Sequence, residues 1–124
     1  MDEIDRFFGM IDAALATIPT PFAEQLGSVA IVVEDEPTPA QLASVGAFGL
    51  YGLYQGVPRT RYRADEAAVA SKITLFRGPL ERRYRDGEAL AAGVADTLIH
   101  EIAHHFGIDD ERIRALQRAA RTRP

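Results

Sequence analysis

Apolar residues recur along the chain in recognisable rhythms. Ile4, Phe7, Phe8, Ile11, Leu15 and Ile18 stand mostly three and four apart, so residues 2–17 read as an amphipathic helix, ended by Pro19 and Pro21. Residues 28–33 form a short β-branched run and read as a buried strand. Thr38-Pro39-Ala40-Gln41 carries a capping box with Pro at the first helical position, which predicts a short helix reaching Gly46. Residues 48–55 predict a second strand, weakened or bulged by Gly49 and Gly52, and Gly56-Val57-Pro58 ends it. Residues 59–71 read as a surface loop with Arg59, Arg61 and Arg63 outward. Residues 73–76 predict a third strand closed by Gly78-Pro79, followed by one helical turn from Leu80 to Tyr84. From Asp86 the rhythm becomes strongly helical: Leu90, Val94, Leu98, Ile102 and Phe106 form one ridge, stopped by Gly107. Asp109-Asp110-Glu111 then opens a last helix carrying Ile113 and Leu116.

The predicted order of helices and strands describes an α+β layer arrangement, and 124 residues fit a single domain, 1–124. Hydrophobic residues at 47% and charged residues at 26% are a globular balance, which excludes global disorder. The net charge of −4 argues against nucleic acid as a partner. It is unevenly spread. Residues 1–36 hold eight acids and one base, and residues 111–124 hold five arginines and one acid. That basic end reads as a solvated helix face or a tail. The acidic start is unlike a signal peptide, and no stretch reaches the roughly 18–20 apolar residues of a membrane span. The expectation is a cytoplasmic protein with no membrane contact.

Cysteine is absent, which excludes disulfides, thiolate nucleophiles and sulfur-ligated metals. A metal site in this chain must use histidine and carboxylate. All three histidines, His100, His104 and His105, fall within six residues on the predicted long helix. His100-Glu101-Ile102-Ala103-His104 is an HExxH motif. Its spacing puts both imidazoles one turn apart on one helical face, where they can share an ion, Zn²⁺. Glu101 sits about 100° further round the helix, placed to take a proton from a metal-activated water rather than to coordinate. Gly93, Asp96 and Thr97 share the metal face, with Asp96 either orienting an imidazole or standing as an exposed helix acid. His105 reads as a packing or supporting residue.

A catalytic zinc usually has three protein ligands and one open position. No histidine remains for the third, so it falls to a carboxylate. The motif continues as HExxHxxGxxD with Asp110 in the last place, and Gly107 can turn the chain back toward the metal. Asp110 is favoured as third ligand; Asp109 competes, and either acid can also be a simple helix-start residue.

The motif resembles those of zincin metallopeptidases, and its extended form resembles metzincins that use Asp as third ligand. Two features separate the chain from metzincins: both methionines, Met1 and Met10, precede the motif, and 14 residues follow Asp110. It is more similar to a small bacterial family of minimal, zincin-like metallopeptidases. The similarity rests on residues 50–58, 73–81 and 100–110. It implies a minimal zincin-like fold, in which a small mixed sheet packs against an N-terminal helix and the HExxH helix. It also implies a peptide or protein substrate lying along a sheet-edge strand, with residues 48–55 or 73–76 as that edge. Tyr51 and Tyr54 read first as strand packing, with oxyanion donation as the functional alternative.

The leading expectation is a zinc metallopeptidase with His100, His104 and Asp110 as ligands and Glu101 as general base. The alternative is a catalytically weak or inactive zincin-derived module that binds a peptide or protein. Retention of Glu101 speaks against that alternative, because a purely structural site needs no general base. A closed structural zinc site fits least, since it usually has four ligands.

Overall fold

The computed structural model describes residues 2–19, 23–27, 29–46, 50–56 and 71–108, and beyond them residues 111, 112, 115 and 118. The expected loop at 59–71, apart from Ser71, and most of the expected last helix lie outside the described residues. Four helices and a three-stranded mixed sheet make up the described fold, with a short 3-10 turn at Glu24–Leu26.

Helix α1 (Glu3–Leu15) begins where Asp2 accepts the Asp5 N–H at 2.8 Å, and its inner face carries Phe7, Ile11 and Ala14. Strand β1 (Val29–Glu34) follows, then helix α2 (Pro39–Val45). The capping box is complete: the Gln41 N–H donates to Thr38 Oγ1 at 3.1 Å, and the Thr38 N–H donates to Gln41 Oε1 at 2.8 Å. Gly46 closes α2 in the left-handed conformation, at φ 64°.

Strand β2 (Gly52–Gln55) is shorter than the pattern predicts. Strand β3 (Ser71–Phe76) is central, in the order β1-β3-β2. It pairs in parallel with β1, from Val29 with Ser71 to Glu34 with Phe76, and antiparallel with β2, from Gly52 with Leu75 to Gln55 with Lys72. Two expectations change here. The run at 28–33 is not a fully buried strand: β1 is a half-buried outer strand, with Ala30 exposed. Residues 73–76 cannot be a substrate-binding edge, because β3 is paired on both sides.

Gly78-Pro79 does not close β3 either. Helix α3 (Arg77–Arg83) starts directly from the strand, with Gly78 and Pro79 in its first turn. First-turn amides have no intrahelical partner, so the missing proline N–H is harmless there. The Gly78 N–H instead donates to the Asp35 carbonyl at 2.8 Å, and a Cβ at Gly78 would collide with Glu36.

Helix α4 (Gly87–His105) begins with Asp86 accepting the Ala89 N–H at 2.8 Å. Val94, Leu98 and Ile102 of its ridge are buried against Phe7, Ile11, Ile73, Leu75 and Leu80, with Leu90 and Phe106 packed at the margins. Gly107, at φ 72°, donates to the His104 carbonyl, and Ile108 donates to the Ala103 carbonyl, both at 3.0 Å. This is a Schellman closure, and it ends the helix immediately after the motif. No helix among the described residues is long and apolar enough to cross a membrane.

Candidate metal centre

The last turns of α4 carry His100, Glu101 and His104 off the buried ridge. Their potential ligand atoms all lie within 4.8 Å of one another. The two imidazoles meet edge to face, with centroids 4.6 Å apart, and His104 Nδ1 is 3.4 Å from Glu101 Oε1. Both histidines are half-buried, which leaves them reachable. Zinc bonds to nitrogen and oxygen run about 2.0–2.2 Å, so a cluster of this size suits one ion after modest side-chain rotation. The two imidazoles suit zinc chemically, and the Glu101 carboxylate stands close enough to reach a group bound to such an ion.

Glu101 differs from its neighbours in being buried, at 8% exposure. Burial pushes its carboxyl above the ordinary carboxylate range. His104 and His100, together with the Tyr54 backbone amide, pull the other way without cancelling the effect. A carboxylate held in this way is a stronger base than an exposed one.

Gly52 is what lets this burial happen. A Cβ there would stand 2.7 Å from Thr97 Cγ2 and 3.3 Å from Glu101 Cγ. Strand β2 therefore lies directly on α4 beside the motif. The predicted bulge is instead a point of close approach. A cavity of about 320 Å³ opens at this contact, lined by Leu50, Tyr51 and Gly52 on one side and Asp96, Thr97, His100 and Glu101 on the other. Asp96 and Thr97 thus fall beside the motif, as their helical spacing predicts.

His105 is buried at 1% exposure. Tyr54 Oη is 3.0 Å from its Nδ1 and 3.2 Å from Ser71 Oγ. This chain ties β2 and β3 to the residue following His104, so His105 is a supporting residue, as expected. The pairing of Tyr54 with His105 was not legible in the sequence. The expected third ligand, Asp110, and its competitor Asp109 lie outside the described residues.

The sequence profile of the zincin-like metallopeptidase family matches residues 26–120. The chain belongs to this family. The matched span of this zincin-like protein holds all three strands and the motif helix but leaves out α1, which nonetheless contributes Phe7, Ile11 and Ala14 to its core. No individually curated protein matches the zincin-like chain.

Proposed function

We propose that this zincin-like protein is a zinc-dependent metallopeptidase. The observation that carries the reading is the gathering of His100, Glu101 and His104 on one face of α4, beside the outer strand β2. His100 and His104 would hold the zinc, with Asp110 as third ligand. Zinc bound there supplies a Lewis acid that lowers the pKa of water toward about 7 and polarises the scissile carbonyl.

The remaining steps belong to the chain. Glu101 accepts a proton from the attacking water on a carboxylate oxygen and then delivers it to the departing amine nitrogen. The water oxygen bonds to the carbonyl carbon while the C=O π pair moves onto the carbonyl oxygen; the C=O then re-forms as the C–N bond breaks and the amine leaves with the proton from Glu101. Strand β2 supplies the backbone edge along which a peptide can pair. The helix closure at Gly107 keeps the motif's last turn in place.

The test combines zinc stoichiometry with cleavage of a mixed peptide library by the wild type and Glu101→Gln. One zinc per chain, cleavage by the wild type and none by the variant support the proposal. Zinc binding without cleavage overturns it in favour of the binding module, and cleavage that survives Glu101→Gln overturns the general-base role. For the third ligand, Asp110→Ala is expected to weaken zinc binding and Asp109→Ala to leave it intact; the opposite pattern moves the ligand to Asp109.

A further inference from the structure

The cavity beside the metal centre does not end at Tyr51. A second cavity of about 550 Å³ lies across it and shares Leu50 and Tyr51 as a common wall. This volume falls within the roughly 300–1,000 Å³ typical of small-ligand sites. Its apolar lining comes from Pro37, Leu42 and Pro79, and its charged rim from Glu36, Arg82 and Arg83. Two guanidinium groups thus face one carboxylate.

The two arginines are not equivalent. Arg82 is committed to Glu36 by two bonds, of 2.6 and 2.9 Å. Arg83 pairs with no carboxylate among the described residues. Its guanidinium carbon sits 5.1 Å from the Tyr84 ring centroid, and that ring lies 6.3 Å from Tyr51. Contact with an aromatic face restrains a long side chain before any ligand arrives, which reduces the entropy lost on binding.

We propose that this second cavity is a specificity subsite of the peptide groove. It selects an acidic side chain, whose methylene stem packs on Pro37, Leu42 and Pro79 and whose carboxylate pairs with Arg83. The proposal rests on the metallopeptidase reading above. A peptide lying along β2 would pass Tyr51, so a residue near the scissile bond would enter the metal-site cavity and a neighbouring residue this one. Glu36 disfavours nothing in that arrangement, since Arg82 already neutralises it. A basic side chain would instead meet the cation of Arg83, with no carboxylate among the described lining residues left over to receive it, because Glu36 is already bonded to Arg82.

The test uses zinc-loaded protein and peptides that differ at one position, Glu, Gln or Lys, each with a free or an amidated C-terminus. Wild-type kcat/KM is expected to favour Glu over Gln by roughly tenfold, the usual size for one charge-assisted hydrogen bond. Amidation should not alter that ratio, and Arg83→Glu should reverse it toward Lys. A wild-type preference below about twofold overturns the subsite. So does a preference unchanged in Arg83→Glu, or one that follows the free C-terminus rather than the Glu side chain.

Binding of the same peptides to zinc-loaded Glu101→Gln, read by fluorescence anisotropy, separates this proposal from the one it rests on. Glu-selective binding without wild-type cleavage overturns the peptidase reading and supports the subsite. Cleavage without charge preference does the reverse, and neither binding nor cleavage overturns both.

Discussion

The two outer strands of the sheet share one partner, β3, and are built for different work. β1 is six residues long, β-branched and parallel to β3, and the turn after it is gripped by α3. Arg77 reaches Asp35 at 3.3 Å, Arg82 bonds Glu36, and the Gly78 amide bonds the Asp35 carbonyl. β2 is four residues long, antiparallel, begins with a glycine, and lies against the motif helix. The β1 side spends its polar groups on holding the sheet to α3. The β2 side places a backbone edge, a buried glutamate and two histidines within reach of one another. In this sheet, strand length and β-branched composition go with the edge held to α3, whereas the edge beside the motif is marked by its small residue and its approach to the helix.

The largest expected effect falls on the β2 side. Glu101→Gln should lower peptide hydrolysis by roughly 10²–10⁴-fold, the usual contribution of a general base, as measured by kcat/KM on a cleaved library member. Gly52→Val comes next. The added Cβ meets Thr97 and Glu101, so overpacking should cost about 1–3 kcal/mol in chemical denaturation and weaken zinc binding as well. The matching change on the other outer strand, Ala30→Val at an exposed position, should stay within about 0.5 kcal/mol. Equal costs at the two sites would erase the contrast between the edges. Tyr54→Phe removes a hydroxyl that bridges His105 and Ser71, and should cost about 1–2 kcal/mol by the same measurement.

Smaller effects appear as pH dependence. In the metal-free protein, burial holds the Glu101 carboxyl above its ordinary 4.5. A raised folded-state pKa means that its contribution is intact below the unfolded value and is lost as pH rises through the folded one. Metal-free Glu101→Gln should therefore be more stable than the wild type at neutral pH, with the gain vanishing below about pH 4.5 in denaturation curves. Glu36 has the opposite sign. Its hydrogen bond to Arg82 holds its carboxyl below the ordinary value, so its contribution is present above the unfolded pKa and is lost as pH falls through the folded one. The pair is exposed, so Glu36→Gln should give the smallest change of the series, shrinking further in about 1 M salt.

Much of the fold is legible in order and kind. The helix α1, the capping box at Thr38, the ridge from Leu90 to Phe106 and the stop at Gly107 depend on neighbours within one or two turns, and local sequence encodes such features directly. The misreadings share one cause. Gly78-Pro79 has the local chemistry of a breaker, but its place in a first helical turn depends on Asp35, over forty residues earlier. The β1 run has the composition of a buried strand, yet burial depends on where it falls in the sheet. In the site, the HExxH spacing and the supporting part of His105 were readable from helix geometry. The contact of Tyr54 with His105, the meaning of Gly52 and the second cavity were not, because each joins residues far apart in the chain. A glycine inside a strand pattern was the one available hint of close approach.

By itself the sequence determined the donor chemistry: no cysteine, two histidines one turn apart, a glutamate beside them, and a helix amphipathic enough to bury one face while presenting the other. These follow from helical periodicity, which is a local property. Only the tertiary structure decided which strand stands beside the motif, that Glu101 is buried there, and that a second cavity with Arg83 on its rim continues past Tyr51. Those properties are set by strand order and by the distance at which a strand and a helix come to rest. That distance depends on the absence of a side chain at Gly52, and its consequence appears only once Thr97 and Glu101 are packed against it.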